Sequence, residues 1–88
     1  MTVLVDEPIW PFRDRLWCHL VSDASYDELH AIAAEMGIPR RAFQGDHYDL
    51  PAEMRGAAIA LGAVPVTGRE LITRLRESGL RLRKGPRT

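Results

Sequence analysis

Leu16-Trp17-Cys18-His19-Leu20-Val21, followed after a short polar break by Ser25-Tyr26-Asp27-Glu28-Leu29-His30-Ala31-Ile32-Ala33-Ala34-Glu35-Met36, decides the fold. The first segment reads as a strand. Period-two alternation sends Leu16, Cys18 and Leu20 to one face, and Trp17, His19 and Val21 to the other. A short helix also fits, because the segment is apolar on most sides. The second segment predicts a helix over 26–36. Ser25 and Glu28 have the spacing of a capping box, and Leu29, Ile32, Ala33 and Met36 repeat at i, i+3, i+4 and i+7. Gly37 suits the left-handed residue that follows a helix, and Pro39 forbids continuation.

On the N-terminal side, Thr2-Val3-Leu4-Val5 is a buried strand stopped by Asp6-Glu7-Pro8. Pro8 to Arg15 holds two prolines with Trp10 and Phe12, and reads as an ordered loop with aromatic anchors. On the C-terminal side, Gly45 turns the chain into a short extended piece at 47–50, and Pro51 suits the first turn of a helix. Met54, Ala57, Ala58 and Leu61 give that helix its stripe, and Gly62 ends it. Ala63-Val64-Pro65-Val66 is a brief strand, confined to an edge or a strand end by Pro65. Thr67-Gly68-Arg69-Glu70 is a second capping box, leading into a helix that buries Leu71, Ile72 and Leu75 and closes at Gly79. Strands alternating with helices predict an α/β fold: a small mixed or parallel sheet of three to four short strands, covered by about three helices. Residues 1–79 read as one domain and residues 80–88 as a basic, loosely ordered tail.

Charge is balanced overall but unevenly spread. Residues 1–66 carry ten acids against five bases, a net −5, and residues 67–88 carry two against seven, a net +5. The basic residues between 69 and 87 would suit nucleic acid or an acidic partner, or simply a solvated helix and frayed end. No apolar run approaches the ~18–20 residues that span a bilayer, and the N-terminus lacks the features of a secretory signal. Cys18 is the single cysteine, so an intrachain disulfide and a four-thiolate zinc site are excluded. A reducing cytoplasm is the expected compartment. The sequence has no dinucleotide-binding glycine motif, no phosphate-binding P-loop, no His-Glu-x-x-His and no Gly-x-Ser-x-Gly.

The chemistry-bearing residues cluster between 19 and 55. Imidazole with carboxylate can hold a divalent metal or supply a general base with its orienting partner. Alternation puts His47 and Asp49 on one side of an extended segment, and His19 on a neighbouring strand could complete a set of three ligands. His19, His47 and Asp49 are therefore the candidate catalytic and metal-binding residues. Arg41 and Arg55, each close to a helix terminus, are candidates for holding a phosphate or carboxylate. Plainer duties are also available. His19 could be a hydrogen-bonded core residue, Asp27 and Glu28 are explained by capping, Asp23 by the turn before Ser25, and Asp49 by capping the next helix. Arg55 could pair with Asp49 or Glu53. His30 lies at the edge of its apolar stripe, and Cys18 sits among apolar neighbours that favour an inert thiol.

The series Cys18-His19-Leu20-Val21-Ser22-Asp23, Asp27-Glu28-Leu29-His30, Gly37 with Arg40-Arg41-Ala42-Phe43-Gln44, His47-Tyr48-Asp49-Leu50, Arg55 and Gly62-Ala63 resembles a family of short bacterial and phage proteins with a His-Tyr-Asp motif. That family is known only as a domain of unknown function, and the resemblance covers residues 2–75. It implies no activity, cofactor or partner. It does direct attention to His19, Asp23, His30, His47, Tyr48, Asp49 and Arg55. The expected function is a pocket for a divalent metal or a phosphate-bearing ligand, with phosphoester hydrolysis as the most economical reaction. A nucleic-acid or protein binding module using the basic C-terminal segment is the alternative, as is a purely structural domain held by an internal hydrogen-bond network.

Overall fold

The structure, a computed structural model, describes residues 2–80. Five strands form one mixed sheet: β1 (Val3–Val5), β2 (Trp10–Phe12), β3 (Arg15–Ser22), β4 (Tyr48–Pro51) and β5 (Val64–Pro65). Three α-helices accompany them: α1 (Tyr26–Glu35), α2 (Arg55–Ala60) and α3 (Gly68–Ser78). The α/β class and the mixed sheet match the sequence reading.

The fifth strand does not appear in that reading. Trp10-Pro11-Phe12, expected as loop, pairs antiparallel with Arg15-Leu16-Trp17 to make a hairpin. Its two-residue turn needs positive φ at both positions, and Arg13 and Asp14 supply it at 53° and 64° without a glycine. Pro11 is tolerated because β2 is an edge strand.

β3 is the spine of the sheet. Leu20 is matched with Val5 on one side and Tyr48 on the other, and Trp17 with Trp10 and Pro51. Strands β1 and β2 therefore follow one another along one edge of β3, and β4 runs along the opposite edge. β5 adds to β1 in parallel. Alternation divides the side chains between two layers. Val3, Val5, Cys18, Leu20, Tyr48 and Leu50 pack with Leu29, Ile32 and Ala33 of α1. Leu4 and Val21 face the other way and meet Val66 and, from α3, Leu71 and Leu75. Leu4, Leu20, Leu29 and Leu50 are wholly buried, each contributing about 2 kcal/mol.

The second helix starts later than the sequence suggests: Pro51 closes β4, α2 begins at Arg55, and of Met54, Ala57, Ala58 and Leu61 only Ala58 is buried. The ends of α1 and α3 follow the sequence with one change. Ser25 Oγ accepts the Glu28 amide at 3.1 Å, as capping requires. The Glu28 carboxylate does not return to the cap amide. It accepts from Ser22 Oγ at 2.6 Å, and Ser22 Oγ itself accepts the Ser25 amide at 3.1 Å. The end of β3 and the start of α1 are thus welded through one buried hydroxyl. Leu80 packs against the α3 cluster and its carbonyl accepts from the Tyr26 hydroxyl. Residues 81–88, where the sequence predicts most of the loosely ordered basic tail, lie outside the described residues. Among the described residues no helix is long and apolar enough to cross a membrane.

Candidate functional site

The β3–β4 register sets His19 directly opposite Asp49. Their neighbours Cys18, Leu20, Tyr48 and Leu50 are committed to the α1 layer, so His19 and Asp49 project from the opposite face. Beyond the end of β4, Gly45 adopts φ 81° and the Gln44 amide donates to the His47 carbonyl at 2.8 Å. This turn brings the His47 ring beside its strand neighbours. The rings of His19 and His47 meet edge to face at 5.4 Å. One ligand atom from each of His19, His47 and Asp49 lies within 4.8 Å of the other two.

Each histidine is backed by a buried carboxylate. Asp6, just past β1, accepts the His19 amide through Oδ1 at 2.6 Å and contacts His19 Nδ1 through Oδ2 at 2.8 Å. Asp46 Oδ1 contacts His47 Nδ1 at 2.7 Å. Only 6% of Asp6 and 5% of Asp46 is exposed. A carboxylate can only accept, so the hydrogen belongs on Nδ1 of both rings, and in the neutral imidazole the lone pair then sits on Nε2. Asp6 Oδ2 also lies 3.7 Å from where a Gly68 side chain would start, at the first residue of α3.

Asp49 is held from one side only. Its Oδ2 accepts from Gln44 Nε2 at 2.7 Å. Its Oδ1 lies 3.1 Å from His47 Nε2, close enough for an ion pair. The contact is nevertheless out of line for a hydrogen bond, and the buried Oδ1 has no such partner among the described residues. With the His47 hydrogen on Nδ1, two lone-pair atoms face each other at van der Waals range.

Around this cluster stand aromatic and basic groups. Trp10 stacks on His19 at 5.4 Å and on Trp17 at 6.0 Å, both at 24°. Trp10, Phe12, Trp17, Arg41, Gln44 and Asp49 line an open cleft of about 590 Å³. Arg55 donates from Nε to the Asp6 carbonyl at 2.9 Å. The ion pair with Glu53 or Asp49 that the sequence allows is not formed; Glu53 pairs with Arg15 at 3.0 Å instead. Cys18, beneath the site, has its thiol pushed up to about 11, first by burial and then by Asp6, with Arg55 opposing. Its complete burial and raised value match the inert thiol that the sequence favours.

The remaining sequence candidates lie elsewhere. Tyr48 is wholly buried on the α1 face, and its hydroxyl meets His30 Nδ1 at 2.7 Å. Phe43 packs against both, 4.6 Å from the His30 ring and 5.4 Å from that of Tyr48. Burial lowers the His30 pKa, with Arg40 adding to the effect. Burial also raises that of Tyr48. Asp23 follows β3 at the end away from the hairpin, where it accepts the Thr2 amide at 2.9 Å and Arg74 at 2.6 Å. Arg74 of the basic α3 is thereby engaged, and the rest of the expected basic patch beyond residue 80 lies outside the described residues.

The sequence reading gives Asp6 and Trp10 no part in the site. Asp46 it places in the same polar turn as His47 and Asp49, without a role of its own. Asp6 is recognisable only once β1 is known to pair with β3, and Trp10 only once the hairpin is known.

A family model described as a protein of unknown function (DUF4031) matches residues 3–78. No curated protein and no solved structure matches the chain.

Proposed function

We propose that this chain, which belongs to the DUF4031 family, is a divalent-metal-binding domain whose ligands are His19, His47 and Asp49. The observation that carries the reading is the 3.1 Å approach of His47 Nε2 to a buried Asp49 Oδ1 that makes no hydrogen bond. A cation between them would turn that repulsion into two bonds, and His19 is placed to supply a third. Buried carboxylates behind metal-bound histidines are the usual means of fixing tautomer and ring orientation, and Asp6 and Asp46 occupy those positions. Two histidines and one carboxylate suit zinc, manganese or ferrous iron, with coordination positions left for water or substrate. Zinc bonds of about 2.1 Å put tetrahedral ligands roughly 3.4 Å apart. A spread of at most 4.8 Å therefore closes by small side-chain adjustments.

The reaction this arrangement favours is hydrolysis of a phosphoester. A bound divalent ion makes water acidic enough to be a nucleophile near neutral pH. His19, His47 and Asp49 would fix the position of that water, and Arg41 in the adjoining cleft would neutralise phosphate charge. Elemental analysis of the purified protein tests the binding reading. One equivalent of metal, lost in His47→Ala, is the expected result. Metal-free protein whose melting temperature ignores added zinc and manganese would overturn it.

A further inference from the structure

The open cleft is built for something flatter and larger than an ion. One wall is Trp10, Phe12 and Trp17, with Trp17 held in place by a 2.8 Å bond from its Nε1 to the Phe12 carbonyl. Phe12 is 52% exposed, with Trp17 at 6.4 Å and the Arg13 guanidinium 5.2 Å from its ring. The Trp17–Trp10–His19 stack runs from this wall to a proposed metal ligand without a break. Trp10 Nε1 is buried and has no hydrogen-bond partner among the described residues. Arg41 supplies a positive charge and Asp49 joins the cleft to the ligand cluster. A volume of about 590 Å³ is within the roughly 300–1,000 Å³ of small-molecule sites. Indole faces bind planar bases with little regard to their identity, and guanidinium recognises phosphate.

We propose that this cleft binds a nucleoside monophosphate, its base laid against the aromatic wall of Trp10, Phe12 and Trp17 and its phosphate directed to Arg41 and the His19–His47–Asp49 cluster. The phosphate end of this proposal rests on the metal reading above, and the base end does not. A base-free sugar phosphate would use only half the cleft, and a phenyl phosphate would leave the long aromatic wall largely uncovered.

Both tryptophans of the chain line the cleft, so tryptophan fluorescence, excited beyond the tyrosine band, reports on it. Adenosine 5′-monophosphate, adenosine, ribose 5-phosphate and phenyl phosphate are titrated into full-length protein, with and without manganese, and metal content is measured in parallel. Saturable quenching by the nucleotide, tighter than by the other three, is expected. Arg41→Ala, an exposed position, should weaken the nucleotide roughly tenfold and leave adenosine unchanged, and Trp10→Leu should weaken both by roughly tenfold. Nucleotide binding in protein that takes up no metal would support the cleft while removing the metal reading. No response to the nucleotide in protein carrying its metal would overturn the cleft and leave the metal reading standing. Ribose 5-phosphate or phenyl phosphate binding as tightly as the nucleotide would overturn the assignment of a nucleoside.

Discussion

The β3–β4 ladder carries a histidine cluster on each face, and the two differ in what stands behind the imidazole. On the cleft face, His19 and His47 each press Nδ1 against a buried carboxylate, and a third carboxylate, Asp49, closes the group. On the α1 face, His30 meets the neutral hydroxyl of Tyr48 and the edge of Phe43. Carboxylates concentrate negative charge where a cation would be welcome. Phenol and phenyl rings offer none, and burial there drives imidazole toward its neutral form. The same residue type thus lines the proposed metal site in one layer and packs against aromatic rings in the other. Adjacent residues of one strand, Tyr48 and Asp49, point to the two sides.

The comparison breaks most visibly at the ligands. His47→Ala or Asp49→Asn should abolish stoichiometric metal, whereas His30→Ala should retain it. In a thermal-shift assay, metal at a hundred times its Kd stabilises a single-site protein by about 2.7 kcal/mol. That gain should be present in wild type and His30→Ala and absent from the two ligand variants. A metal response lost equally in His30→Ala would erase the distinction between the faces.

The carboxylates behind the rings give the next effect. Asp6→Asn and Asp46→Asn keep the size of each side chain but exchange an obligatory acceptor for an amide. Metal affinity should fall roughly 10–100-fold, the usual cost of losing the partner that orients a ligand histidine, as measured by competition with a chromogenic chelator. On the opposite face, Tyr48→Phe removes one hydrogen bond to His30. Its cost should be about 1 kcal/mol in urea unfolding, with metal affinity unchanged.

How far the sequence exposes this arrangement follows from the range of the interactions. Helix α1 is written locally, in Ser25, in the stripe from Leu29 and in the Gly37 that ends it. His47 and Asp49 were assignable to one side because period two is a local property. His19 could only be offered as their neighbour, since its register against Asp49 is set by strands 30 residues apart in sequence. Asp6 was illegible as a site residue for the same reason: its role exists only through β1–β3 pairing. The hairpin was hidden by its turn, because Arg13-Asp14 carries positive φ without the glycine that signals such turns. Tyr48 shows the opposite limit. A motif position adjacent to two site residues looks like a third, until alternation puts it in the core.

The smallest effect is the one that tests the α1 face by charge alone. Burial, reinforced by Arg40, holds the His30 pKa below its ordinary value of 6.5. As pH falls through 6.5, the unfolded chain takes up a proton at this residue before the folded one does. Stability is therefore lost on acidification, from 6.5 down through the lower folded value, and the loss stops once both states are protonated. Melting temperatures of wild type and His30→Gln, recorded across this window in metal-free buffer, isolate the contribution as the difference between two profiles. The wild-type profile should fall more steeply below pH 6.5. If His30→Gln fell more steeply instead, the folded protein would be stabilising the charged imidazole, and the aromatic face would have to be grouped with the carboxylate-lined one.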